Sequence, residues 1–153
     1  MARNELFSTT NFLSQSFKPH GRIDSKVIGN IFVQEGTGPF NKEIFLAMRS
    51  VHSSAKEMLP SEGPWYGLFI FRNSALAPQE MLDDFCEYLK DQKRLNRSSR
   101  ATAIVLSESV EAAALMKPLY LRVWSEAGIP CKAFGDEREA HEWLESWSTG
   151  SSN

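Results

Sequence analysis

Cysteine is almost missing from this chain, with two in 153 residues. Cys86 and Cys131 stand far apart, at a spacing that fits neither a metal site nor a redox motif. Both are expected as small buried apolar residues in a reducing, cytoplasmic setting. An excess of one charge is missing too. The formal net charge is −2, which argues against a general binder of nucleic acid or anionic membrane. No apolar run approaches the roughly 20 residues needed to span a bilayer, so no transmembrane segment is expected. The N-terminus lacks the charged, apolar, then small-residue order of a signal peptide. No G-x-S-x-G elbow occurs, and none of the three histidines has an evident serine or cysteine partner. Gly36-Thr37-Gly38-Pro39 has neither the Lys-Ser/Thr of a phosphate loop nor the third glycine of a dinucleotide fingerprint, and reads as a turn. These absences leave no catalytic residue, metal ligand or cofactor to assign.

What is present is enough for one ordinary globular domain: 42% of the residues are hydrophobic. The organising stretch is Gly63 to Glu80. Gly63-Pro64 makes a turn, and Trp65 to Phe71 then run almost wholly apolar, as a strand covered on both faces does. Its polar exit, Arg72-Asn73-Ser74, leads to Pro78 and an amphipathic run. In open α/β sheets such carboxyl ends are where ligands tend to sit, so Arg72, Asn73 and Ser74 form a candidate binding loop.

Around this strand the chain predicts a hairpin followed by alternating units, β-β-α-β-α-β-α-β-α. Arg22–Ile28 and Ile31–Glu35 flank Gly29-Asn30, a hairpin turn that tolerates positive φ. Asn41 is placed to cap a helix with Ile44, Met48, Val51, Ala55 and Met58 on one face, stopped by Pro60. His52 is expected at the boundary of that stripe. Met81, Leu82, Phe85, Leu89 and Gln92 trace the next helix, with Pro78 in its first turn. Ala101–Leu106 follows as a strand, and Ser107–Gly128 as a helix that Pro118 should kink or split. Cys131–Phe134 is the last strand. Asp136 to Glu139 opens the last helix with a capping-box pattern, whose core face holds Ala140, Leu144 and Trp147. The expected fold class is α/β: a mixed β-sheet, hairpin first, with helices packed on it and parallel right-handed crossovers. Residues 1–21 read as an irregular arm, 22–147 as the domain and 148–153 as a disordered tail. Phe7, Phe12 and Phe17 are too apolar for a free arm, and are expected to pack on the domain or across a homodimer.

Gly38-Pro39-Phe40-Asn41, the join Phe71-Arg72-Asn73-Ser74, and the ending Phe134-Gly135-Asp136 with Ala140-His141-Glu142-Trp143-Leu144 resemble the SpoIIAA-like family, bacterial relatives of STAS domains. The resemblance spans about residues 22 to 147. It implies a small cytoplasmic regulatory or binding domain without a reaction of its own. Regulatory members carry an Asp-Ser-Ser-Gly motif with a phosphorylated serine at the start of the second helix. Here the equivalent stretch is Asn73-Ser74-Ala75-Leu76, without the aspartate or the glycine.

Two functions of different class follow. The first is a non-enzymatic regulatory or protein-interaction domain with an unidentified protein partner. A candidate surface for it is a basic patch of Lys90, Lys93, Arg94, Arg97 and Arg100 at a helix end. The second is a binder of a small apolar, acyl or lipid-like ligand in a cavity between helix and sheet, lined by Phe69, Phe71, Leu119 and Trp124. An enzyme using Cys86 or a surface carboxylate ranks third. Ser74 is expected just before the Pro78 helix, where free backbone N–H groups favour a phosphate, or else as a hydroxyl that satisfies its own loop.

Overall fold

The apolar stretch at the middle of the sequence becomes β4 (Tyr66–Arg72), buried along its length up to Arg72. The computed structural model describes residues 6–9 and 20–149. Six strands form one sheet in strictly sequential order: β1 (Phe7–Ser8), β2 (Arg22–Ile28), β3 (Ile31–Thr37), β4, β5 (Thr102–Val105) and β6 (Cys131–Phe134). The first two pairings are antiparallel and the other three parallel. This is the α/β mixed sheet expected. Gly29 and Asn30 make the two-residue turn between Ile28 and Ile31, with Gly29 at φ 62°.

The alternation of β4 divides the interior in two. Phe69 and Phe71 face α1 (Lys42–Lys56), α2 (Gln79–Arg94) and α3 (Ala113–Glu126), which share one large core with them. Tyr66, Leu68 and Ile70 face the other way, onto Ala140 and Leu144 of α4 (Glu137–Ser148). Three crossovers between consecutive strands thus stack on one face, and α4 folds back to close the other.

Local signals set the helix starts. The Asn41 side chain accepts from the Ile44 N–H at 3.1 Å, and that of Asp136 accepts from Glu139 at 2.9 Å. Each satisfies a donor that the first helical turn leaves free. Pro78 is the cap residue of α2, one position earlier than the sequence reading placed it. α3 runs unbroken through Pro118. Residues 107–112 are turns, so the helix begins late and the proline falls in its second turn, where it costs one backbone bond.

The arm is not wholly irregular. Phe7 and Ser8 pair with Ser25 and Asp24 as a short edge strand, and Phe7 packs with Val27, Phe32 and Ala55. Thr9 Oγ1 accepts from the Ile23 N–H at 2.9 Å. Phe12, Phe17 and residues 150–153 lie outside the described residues.

Tyr120 is the largest side chain sealed in the core, and its hydroxyl donates to the Ala75 carbonyl at 2.8 Å. Tyr120→Phe strands that buried acceptor, and is expected to lower unfolding free energy by about 1–2 kcal/mol. Urea unfolding checks this, and an unchanged midpoint would show that the bond contributes nothing.

Candidate functional site

The carboxyl end of β4 is tied off. Arg72 is paired with Glu35 at 3.2 Å and with Glu137 at 3.1 Å. Asn73, at φ 66°, donates from Nδ2 to the Gly38 carbonyl at 2.6 Å, and its own carbonyl accepts from the Glu111 N–H at 2.9 Å. Ser74 is 1% exposed. Its Oγ accepts from the Leu76 N–H at 3.2 Å, and its backbone bridges to Glu111. Four residues separate it from the start of α2, so the dipole of that helix does not act on it directly. The sequential strand order has no reversal, but an open pocket of about 310 Å³ lies at the carboxyl ends of β4, β5 and β6, with Arg72, Asn73, Ser107, Ser109, Asp136 and Glu137 among its lining residues. The three loop residues hold the ends of β3 and β4 and the 107–112 turns together.

The five cations of the expected patch are dispersed. Lys90 pairs with Glu87 and Arg94 with Asp91, each within its own helix. Lys93 donates to the Gly128 carbonyl at 3.1 Å, beyond the end of α3. Arg100 is exposed, and its backbone N–H pairs with Trp65 beside β4. Arg97 goes elsewhere, into a groove between α1 and α2.

That groove has a volume of about 590 Å³, and no aspartate or glutamate lines it. Arg49 and Lys56 come from one wall, Tyr88 and Gln92 from the other, and Arg97 closes one end. Lys56 Nζ donates to the Arg97 carbonyl at 3.0 Å and to Gln92 Oε1 at 3.2 Å, and lies 4.7 Å from the centre of the Trp65 ring. The Arg49 guanidinium lies 5.4 Å from the Tyr88 ring centre. Burial first, and then the Arg97 charge, pull the Lys56 ammonium down to about 8.

His52 lies between this groove and the core. It is 7% exposed, packed against Phe32 at 4.6 Å and Tyr88 at 5.6 Å between ring centres. Its Nδ1 is buried with no hydrogen-bond partner. Burial, and secondarily Lys56, lower its pKa to about 3, so it is neutral. The boundary position expected for it is corrected to the middle of the stripe. Ile44, Met48, His52 and Ala55 recur at helical spacing, a signal the sequence already carried.

Beneath the helices the packing is tight. The space among Phe40, Phe45, Phe69, Phe71 and Tyr120 is about 10 Å³, and that among Phe32, His52, Thr102 and Trp124 about 40 Å³. The first is at the lower limit for a single water and apolar, and the second is only a few times larger. The Cys86 thiol is buried against the Val123 carbonyl and Glu126, and burial pushes it upward. The Cys131 thiol is pushed up to about 12 by burial. Neither is activated as a nucleophile. Among the described residues, no group of three His, Cys, Asp or Glu is placed to hold a metal, and no helix is long and apolar enough to cross a membrane.

No family profile, characterised protein or solved structure matches this chain. The class defined by the fold is therefore an α/β domain with a mixed six-stranded sheet, and its functional reading rests on the groove.

Proposed function

We propose that this chain is a non-enzymatic, regulatory protein-interaction domain of SpoIIAA-like type that receives an acidic segment of a protein partner in the α1–α2 groove. The observation that carries this reading is electrostatic. Arg49, Lys56 and Arg97 line one concave surface with no carboxylate among its lining residues, while Lys90 and Arg94 nearby are paired with acidic neighbours. Like charges held together without a counter-charge raise each other's free energy, and the Lys56 pKa, lowered first by burial, is lowered further by Arg97. Carboxylates of a partner relieve that repulsion, and steer its approach. The exposed Leu46 on the same wall adds apolar contact for a peptide. An apolar or acyl ligand fits less well, because the two spaces between helices and sheet are only about 10 and 40 Å³, far below the volume of a ligand pocket.

The test is a titration of isotope-labelled protein with a short peptide rich in glutamate and aspartate, followed by amide chemical shifts. Shifts are expected on α1 and on the α2 end that carries Tyr88 and Gln92. Raising salt from low to physiological strength should weaken binding. Lys56→Glu combined with Arg97→Glu should weaken it by about tenfold or more, the sum of two charge–charge contributions. Shifts scattered over the surface, or an equal affinity for the double variant, would refute the groove as the binding face.

A further inference from the structure

We infer that the groove selects by spacing: it takes an extended segment whose two acidic side chains stand three residues apart, one for Arg49 and one for Arg97. This rests on the reading of the groove as a site for an acidic segment, and adds which cations touch it and how far apart they lie. The three cations are not equivalent. The Lys56 ammonium is spent on the Arg97 carbonyl, on Gln92 Oε1 and on the Trp65 ring. It ties the loop after α2 to α1, and so sets where Arg97 stands. Arg49 and Arg97 are exposed, and among the described residues neither guanidinium makes a hydrogen bond or an ion pair. Ring contact holds Arg49 instead, 5.4 Å from the centre of Tyr88 and 5.9 Å from that of Phe45. A guanidinium held over a ring face keeps its in-plane N–H donors open to a carboxylate.

The spacing comes from α1. Arg49 and Lys56 are seven residues apart on this helix, which is about two turns and about 10 Å along the groove. Arg97 belongs to the Lys56 end through its own carbonyl, so the two open guanidiniums serve opposite ends of that interval. A polyproline II segment has three residues per turn and rises about 3.1 Å per residue, which puts positions i and i+3 on one side, about 9 Å apart. The groove suits this form better than a helix. Of its described lining residues Leu46 alone is aliphatic, so an amphipathic helix finds no apolar floor there. Ser50, Ser53 and Gln92 can instead bond the open backbone of an extended peptide.

The test uses proline- and alanine-based peptides of equal length, each with two glutamates placed one, two, three, four or seven positions apart. Each is titrated into the isotope-labelled protein at low salt, and amide shifts of α1 and α2 give the affinity. Binding is expected to be tightest at a separation of three, by about fivefold over adjacent glutamates. In Arg49→Gln that preference should disappear, because cations remain at one end only. A maximum at any other separation, including the seven of a helix, overturns the inference, as does a preference for three that survives Arg49→Gln. Equal binding at every separation overturns it too, and leaves the acidic-segment reading standing. Absence of groove shifts with every peptide overturns both.

Discussion

Gly38→Ala is expected to destabilise the protein by about 3 kcal/mol, among the largest effects of any single-methyl addition. A Cβ at this position would stand 2.1 Å from the Ser74 carbonyl oxygen, far inside contact distance. Ser74 cannot move aside. Its backbone bridges to Glu111, and the preceding Asn73 is bonded to the Gly38 carbonyl itself. The end of β3 therefore approaches the end of β4 through a gap that only glycine leaves. Gly29→Ala provides the comparison. Gly29, unlike Gly38, has positive φ, but a Cβ there meets nothing within 4 Å, so its cost should be near 1 kcal/mol, from backbone strain alone. Urea midpoints of the two variants check the claim. Equal losses would mean that the clasp at the β4 exit relaxes freely.

The second large effect is a dependence of stability on pH set by His52. Its folded pKa, about 3, lies below the ordinary value of 6.5, so the unfolded chain takes up a proton that the folded chain refuses. Stability from this group is complete above about pH 6.5 and is lost as pH falls toward 3, at a limiting slope of about 1.4 kcal/mol per pH unit. His52→Leu removes both the titration and the buried, unpartnered Nδ1. At pH 7 the variant should be within about 1 kcal/mol of the natural protein, because losing an unsatisfied polar atom offsets the lost ring contacts. By pH 4 it should be clearly the more stable of the two. Denaturant titrations at pH 7, 5.5 and 4 give the difference, and parallel curves would show that His52 titrates normally.

Much of the fold was legible because its signals are local. Gly29-Asn30, Asn41 and Asp136 each act within three or four residues, and the apolar run before Arg72 identifies a strand covered on both sides by its composition alone. β1 was not legible: Phe7 and Ser8 pair with the sheet through backbone groups and one half-buried ring, which leave no periodic pattern. The length of α3 was overestimated because Ser107 to Ala112 are compatible with a helix, yet Asn73 and Ala75 draw Glu111 into backbone bonds instead.

The candidate site was only half legible. Arg97 was visible as one charge in a basic run, but Lys90 and Arg94 of that run are paired along α2 and Lys93 reaches the Gly128 carbonyl beyond α3. Its companions in space, Lys56 and Arg49, lie on a different helix. Lys56 is 41 positions earlier and meets Arg97 only because α1 and α2 lie side by side. A basic run in sequence records proximity along the chain, whereas an uncompensated groove depends on where the carboxylates are not.

The central claim, that an acidic protein segment docks between α1 and α2, is tested most directly by photo-crosslinking inside the native cells. A photoreactive residue replaces Ser53, exposed on the groove wall, or, as a control, Leu115, exposed on α3 and outside the groove. Mass spectrometry of the adducts reads which peptide was captured. The account predicts one dominant adduct at Ser53, in a segment rich in aspartate and glutamate, that is lost when Lys56 and Arg97 are both changed to glutamate and is absent at Leu115. The same adducts at both positions, or a Ser53 adduct that lacks acidic residues and survives the charge reversal, would contradict it.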